Sequence, residues 1–304
     1  MIKLTLGATL PTGRDYENVE PTVEIEAETF EEALTMGLRH LEAVANRVQK
    51  SPLRVHPASQ ANLERLIDVD GEVVLFDRER HSYQDSQGNR LLSGSTFSHK
   101  FVKEFPKEQV SKVIAKKHAV PVDEILAMWA TNAEASTSLG TAIHAALELY
   151  GKYRDIAKIT KGDSSAAIHK NPFLDLVVTK FYENRQEEFA EYELFVTYSG
   201  LCGFIDRLLV LDEKKKIARV QDYKTNPDIA KPETILPPFA GLIDNTTLGA
   251  YWLQLSFYAY ILQRKGWTIE GLDIFNIVPV NENGKLDIKI THYQHEVIDV
   301  TGGL

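Results

Sequence analysis

The chain has 304 residues, of which 43% are hydrophobic and 25% charged, and a net charge of −9. That content suffices for one sizeable core plus a small appendage, and no stretch has the uninterrupted apolar length that a membrane span needs. The negative charge argues against a protein that coats nucleic acid indiscriminately, and a single cysteine, Cys202, excludes an internal disulfide framework.

Residues 2–8 and 21–27 read as strands, and Thr29 to Val48 as a helix with Thr29 as its cap and Glu32 at the capping-box position. Ser51, Pro52 and the polar stretch to about Ala61 mark a boundary, so residues 1–55 are expected to form a small N-terminal α+β unit and 56–304 the main domain. Val73 to Phe76 and Leu91 to Leu92 suggest a hairpin turning at Gln87, Gly88 and Asn89. Next, Lys100, Lys103, Lys107, Lys112, Lys116 and Lys117 stand against only Glu104 and Glu108. Such a run is either a solvated helix face or a phosphate track, with Lys112, Lys116 and Lys117 as candidate DNA contacts.

A helix is expected from about Thr137 to Ile156, with an apolar stripe of Leu139, Ile143, Leu147 and Tyr150. His144 lies beside that stripe, as a satisfied boundary residue or a metal ligand. Gly140, one turn earlier, would let the helix approach another backbone closely, and Glu148, one turn later, could orient His144 or simply be solvated. Glu191 to Tyr198 reads as a strand turning at Ser199 and Gly200. A symmetric hairpin there brings Glu193 close to Asp206, as a further metal ligand or a carboxylate facing solvent.

The segment GFIDRLLVLDEKKKIARVQDYKT, from Gly203 to Thr225, carries the most information. Leu208 to Leu211 and Ile217 to Val220 are branched and apolar, whereas Asp212, Glu213, Lys214, Lys215 and Lys216 resist burial, so the turn centres near Lys214. Symmetric pairing about that turn sets Asp206 opposite Asp222, and the alternation of a strand puts Lys224 on the face of Asp222. Two close carboxylates repel each other unless a cation lies between them, and hard oxygen ligands favour magnesium or manganese over zinc. Cys202 reads as a small buried strand residue. A long connection follows, with Pro227, Pro232, Pro237 and Pro238, of the kind that is usually functional or disordered. A helix from about Leu248 to Arg264 carries Tyr251, Gln254 and Tyr258 on one face, and a strand spans Leu272 to Val280.

GFIDR followed by QDYKT resembles the core of the PD-(D/E)XK nuclease superfamily in its RecB-type and phage (lambda-like) exonuclease branch. GTAIHAALE, from Gly140 to Glu148, resembles the helix that carries the metal-binding histidine there, and QLSFY, from Gln254 to Tyr258, the Q-x-x-x-Y helix motif. The likeness covers roughly residues 90–280. It implies an α/β fold with a restriction-endonuclease-like αβββαβ core, a central mixed sheet flanked by helices. It further implies that Asp206, Asp222, the Tyr223 carbonyl and His144 hold one or two Mg2+ or Mn2+ ions. Lys224 would stabilise the developing phosphorane charge or help to deprotonate the attacking water, and Gln254 would contact the site or the nucleic acid, with Tyr258 in support.

The expected activity is a metal-dependent DNA exonuclease that acts from DNA ends and leaves 5′-phosphates, in phage-type recombination, repair or DNA processing. An endonuclease of the same superfamily and a catalytically silent nucleic-acid-binding scaffold are the alternatives. With one cysteine the chain cannot build the four-cysteine iron–sulfur cluster of some RecB-type relatives, and without a Walker-type phosphate loop no ATP requirement is expected. DNA is the expected partner, with a single-strand annealing or other recombination protein and self-association as further candidates. The absence of a charged-then-apolar leader suggests the cytoplasm of a bacterial or phage-infected cell.

Overall fold

The computed structural model describes residues 63–78, 80–153, 171–185, 188–282 and 284–304, with the backbone alone at 2–7, 10–11, 18–19, 22–27 and 154–160. The chain divides into two units, residues 1–66 with 73–90, and residues 67–72 with 91–304. The helix expected over Thr29 to Val48 and the boundary expected between Ser51 and Ala61, including the junction of residues 55 and 56, lie outside the described residues.

In the first unit, β1 (Ile2–Gly7) pairs antiparallel with β4 (Thr22–Ala27), and β2 (Leu10–Pro11) with β3 (Asn18–Val19). A separate sheet joins β5 (Leu63–Ile67), β6 (Val73–Asp77) and β7 (Ser82–Gln84). The partner of Val73 to Phe76 is therefore Ser82 to Gln84 rather than Leu91 to Leu92. The aromatic rings explain the preference, since Phe76 stacks on Tyr83 with centroids 4.7 Å apart. The expected turn at Gln87 to Asn89 does form, because the Asp85 carboxylate accepts from the backbone N–H of both residues.

The second unit is built on a mixed six-stranded sheet. Its path runs β13 (Lys285–His295), β12 (Thr268–Glu282), β11 (Ile217–Lys224), β10 (Leu201–Asp212) and β8 (Leu92–Ser93), and β9 (Ala190–Tyr198) pairs with β10. β11 and β12 run parallel, joined through α5 (Thr247–Arg264); the hairpins on either side are antiparallel. On one face α5 and the short α1 (Gly94–His99) cover Ile205, Leu208, Ala218, Val220, Leu272 and Ile274. On the other face α3 (Val122–Thr160) and α4 (Pro172–Tyr182) cover Tyr192, Tyr223, Phe275 and Ile277.

The expected αβββαβ order is present, with three differences of extent. α3 begins at Val122 rather than near Thr137, because residues 131–138 are exposed all round and show no apolar period to read. α4 and β13 are additional elements, and β12 runs well beyond Leu272 to Val280. From Lys107 on, the lysine-rich run forms α2 (Lys107–His118), on which Lys112, Lys116 and Lys117 are exposed, whereas Lys100 and Lys103 precede it. The proline-rich connection over residues 226–247 has only isolated bridges, yet it is packed, since Ile229, Ile235, Phe239 and Ile243 enter the α5-side core. Cys202 is buried in β10, and burial pushes its thiol pKa up to about 12.

Beneath the apolar layer on the α3 side lies a polar ladder that crosses four strands. Arg207, fully buried, donates to the Gln221 side-chain oxygen and to Glu188 Oε2 (2.7 Å). Gln221 in turn donates to Asp273 Oδ2 (2.9 Å), which also receives the Arg219 Nε–H at 2.7 Å. Arg219 Nη2 and Gln294 Nε2 donate to Asp273 Oδ1, and His292 Nε2 lies 2.8 Å from it. Burial alone would raise the Asp273 pKa, but the hydrogen bonds, Arg219's foremost, hold it down to about 2. A carboxylate with a depressed pKa stabilises the fold above its unfolded pKa of about 3.9. That contribution is lost as pH falls through about 2. Asp273→Asn should therefore lower unfolding free energy near neutrality by about 2–3 kcal/mol and flatten the acid limb of stability between about pH 4 and 2. Urea titrations across that range test this, and an acid limb identical to wild type would remove the ladder from the account.

Candidate active site

The hairpin register sets the site. Arg207 pairs with Gln221, Leu208 with Val220, Leu209 with Arg219 and Val210 with Ala218, so the next pair outward is Asp206 with Asp222. The turn at Lys214 follows a bulge between Val210 and Asp212, which lies beyond the carboxylates and leaves their register intact. In β11, Ala218 and Val220 face the α5 core, and Asp222 and Lys224 continue that face by alternation. Lys224 Nζ lies 2.5 Å from Asp222 Oδ2 and 4.5 Å from the ring centroid of Tyr251 on α5.

The β9–β10 hairpin pairs Ile205 with Leu194 and Arg207 with Tyr192, so Glu193 stands opposite Asp206. Glu193 has a left-handed backbone, φ 48°. At this point both strands change the face that their side chains present. Ile205 and Leu194 pack into the α5-side core, whereas Arg207 and Tyr192, two residues on, meet the α3 side. Glu193 and Asp206 occupy the switch, where neither core closes over them.

α3 supplies the third side of the site. Ile143 and Leu147 bury in the α3-side core, which leaves His144 at its edge. The His144 ring meets Tyr223 edge-on at 5.5 Å, and its Nδ1 lies 3.3 Å from Asp206 Oδ2. That oxygen also accepts the Tyr223 backbone N–H (2.9 Å). A Cβ on Gly140 would stand 3.2 Å from Thr225 Oγ1, so glycine there lets the helix close onto the end of β11. Ser136, Thr137, Gly140, Thr141, His144, Glu148, Glu193, Asp206, Thr225, Asn226 and Pro227 line an open cleft of about 690 Å³.

One donor atom from each of His144, Glu193 and Asp206 lies within 4.8 Å of the others. An imidazole nitrogen and two carboxylates around a water-accessible cleft make a donor set that fits a hard divalent ion such as Mn2+ or Mg2+. The charges point the same way. Burial, then the Asp206 charge, raises the Glu193 pKa to about 8, and burial raises that of Asp222 to about 7 against the pull of Lys224. Asp206 is raised by burial as well. Burial lowers the His144 pKa, which keeps its nitrogen available as a donor. For Lys224, burial acts to lower the pKa, but Asp222 and Asp206 outweigh it and hold the amine protonated.

Several residues singled out in the sequence take other partners. Glu148 lines the cleft but is ion-paired with Lys152, one turn on, rather than bonded to His144. Gln254 donates to the Tyr258 hydroxyl (3.1 Å), and the Tyr258 ring occupies space that a Cβ on Gly203 would enter at 2.4 Å. The glycine of GFIDR thus makes room for the tyrosine of QLSFY. Lys112, Lys116 and Lys117 lie on α2 and are not among the residues that line the cleft. Two supporting residues escaped the sequence reading. Asn276 Nδ2 donates to the carbonyls of Lys224 and Asn226, and Asn226 Oδ1 accepts from the Tyr251 hydroxyl. For Asn276 the visible signal is a lone asparagine inside the apolar run Ile274 to Val280.

Calorimetric titration of the metal-free protein with Mn2+ tests the donor set. Binding is expected to release protons at pH 7, seen as a buffer-dependent heat, because Glu193 with a pKa of about 8 must ionise to coordinate. Affinity should therefore rise from pH 6 to 8, and Asp206→Asn or Glu193→Gln should weaken it at least tenfold. Equal binding in the Asp206 variant would reject this site.

The elements that carry these residues coincide with a family match. A family model described as the PD-(D/E)XK nuclease superfamily matches residues 121–276, a little over half of the chain. No curated protein and no solved structure matches it. From α3 through β12, in motif order and in the convergence of Asp206, Asp222 and Lys224, this chain belongs to the PD-(D/E)XK nuclease superfamily.

Proposed function

We propose that the chain is a Mg2+- or Mn2+-dependent deoxyribonuclease that hydrolyses phosphodiester bonds from DNA ends, in phage-type recombination, repair or DNA processing. The observation that carries this reading is the placement of the Asp222–Lys224 ion pair beside the His144, Glu193 and Asp206 donors on an open cleft. The preference for ends rests on the likeness of GFIDR, QDYKT and QLSFY to the RecB-type and phage exonuclease branch.

In this reading His144, Asp206 and Glu193 would hold the metal, with Asp222 and the Tyr223 carbonyl as further ligands. A bound Mg2+ or Mn2+ supplies Lewis-acid polarisation of the phosphodiester and lowers the pKa of water. The protein's own groups do the rest. Without metal, Asp222 and Asp206 keep the Lys224 ammonium charged, and a charged amine at this position would stabilise negative charge that develops on the phosphoryl oxygens. Tyr251 lies beneath that ammonium and Asn276 fixes the strand end behind it, which limits the positions the amine can take. Gln254 acts through Tyr258 and Gly203 on the seating of β10. Asn226 and Pro227, the start of the packed proline-rich connection, form part of the wall along which DNA would enter.

Digestion of the same plasmid in linear and in covalently closed circular form, with Mg2+, tests the assignment. Linear DNA should disappear while closed circles persist, and Lys224→Ala should reduce the rate by at least a hundredfold with the fold intact by circular dichroism. Cutting of closed circles would make the chain an endonuclease. Undiminished cleavage by Lys224→Ala would remove the mechanism.

A further inference from the structure

On α3, upstream of His144, the surface changes character. Phe105, 53% exposed, meets the half-buried Trp129 edge-on with centroids 5.9 Å apart, and Lys231 Nζ stands 5.7 Å from the Phe105 ring. These residues come from three separate segments: the approach to α2, the first half of α3, and the connection that follows β11. The last of these also contributes Asn226 and Pro227 to the cleft. Lys103 and Lys107 flank Phe105 in sequence, and both are exposed. In a chain of net charge −9, an exposed and a half-buried aromatic ring meet beside the Lys231 ammonium, while around Phe105 the exposed Lys103 and Lys107 alternate with Glu104 and Glu108.

Between this cluster and the cleft, α3 offers no large apolar side chain and no basic one. Residues 131–138 are exposed and include Thr131, Asn132, Ser136, Thr137 and Ser138, with Glu134 as the one charge. A protein partner laid along α3 would need an apolar stripe, which this stretch lacks. A nucleic-acid strand can take hydrogen bonds from such hydroxyl and amide groups along its sugars and phosphates, with a cation such as Lys231 and flat aromatic faces to hold unpaired bases. Trp129 and His144 are fifteen residues apart on one helix, about 22 Å along its axis.

We propose that Phe105, Trp129 and Lys231 form a base-stacking platform for single-stranded DNA, from which the strand runs along residues 131–138 of α3 into the cleft. This rests on the nuclease reading for its ligand and deepens it by naming the strand state of the substrate. Aromatic faces reward bases freed from a duplex, whereas Lys231 beside them contributes attraction to phosphate.

The test measures binding without metal, so that cleavage plays no part. A fluorescein-labelled single-stranded oligo(dT) and a blunt duplex of equal length are titrated in EDTA, and tryptophan emission is followed with unlabelled oligo(dT). The single strand should bind more tightly than the duplex and quench emission, and the quench should vanish in Trp129→Phe, which keeps Trp252 and Trp267. Phe105→Ala should weaken single-strand affinity roughly five- to a hundredfold, and Lys231→Ala should reduce the salt slope by about one. Unchanged affinity in Phe105→Ala and an unchanged quench in Trp129→Phe would overturn the platform, as would a concentration-dependent dimer in sedimentation that Phe105→Ala abolishes. A chain that binds as described yet never cleaves DNA would overturn the proposed activity and leave the platform standing.

Discussion

The structure depends above all on the register of one β-hairpin. Asp206 and Asp222 meet because Leu208, Leu209 and Val210 pair with Val220, Arg219 and Ala218. A slip of one residue would carry one carboxylate to the opposite face and Leu208 out of the core. The register is held from both sides of the sheet. On the α5 side, Leu208, Ala218 and Val220 are buried to the last few per cent. On the α3 side, the Arg207 to Gln221 contact lies immediately inward of the carboxylate pair and continues to Asp273. The arginine of GFIDR is thus a positioning residue, which holds the strand that carries Asp206 and is not among the residues that line the cleft.

That arrangement concentrates electrostatic cost where chemistry needs it. Three carboxyl groups, Asp206, Asp222 and Glu193, are pushed toward their neutral forms by burial, Asp222 and Glu193 also by the Asp206 charge, with one buried ammonium to offset them. Such a cluster is destabilising without a cation, and the rest of the domain must hold it closed. The two apolar cores do so from opposite faces, and the face switch at Glu193 and Asp206 lets carboxylates emerge between them.

Much of this was legible because it is local. The charged run Asp212 to Lys216 can only be a turn, and the apolar stretches on either side fix the pairing, so the approach of Asp206 to Asp222 and of Glu193 to Asp206 follows from counting. Some of what was not legible lacks a local signature: residues 131–138 of α3 have no apolar period, and α4 is an apolar run that suits strand or helix equally. Other signals are local and went unused, namely the helical spacing of Val122, Ile125, Leu126 and Trp129 in α3 and the alternation of Leu286, Ile288 and Ile290 in β13. The link from Gln254 through Tyr258 to Gly203, and that from Asn276 to Lys224, join residues fifty or more apart and appear only when the sheet is assembled. The pairing of Glu148 with Lys152 rather than His144 shows an ammonium one turn on prevailing over an imidazole one turn back.

The account's central claim is that these donors enclose a doubly charged ion. Anomalous diffraction from crystals grown with Mn2+ tests it most directly. A peak within coordination distance of His144, Asp206 and Glu193, on the cleft side of the Asp222–Lys224 pair, is the predicted result. Manganese bound elsewhere, or the three side chains separated with no peak between them, would contradict it.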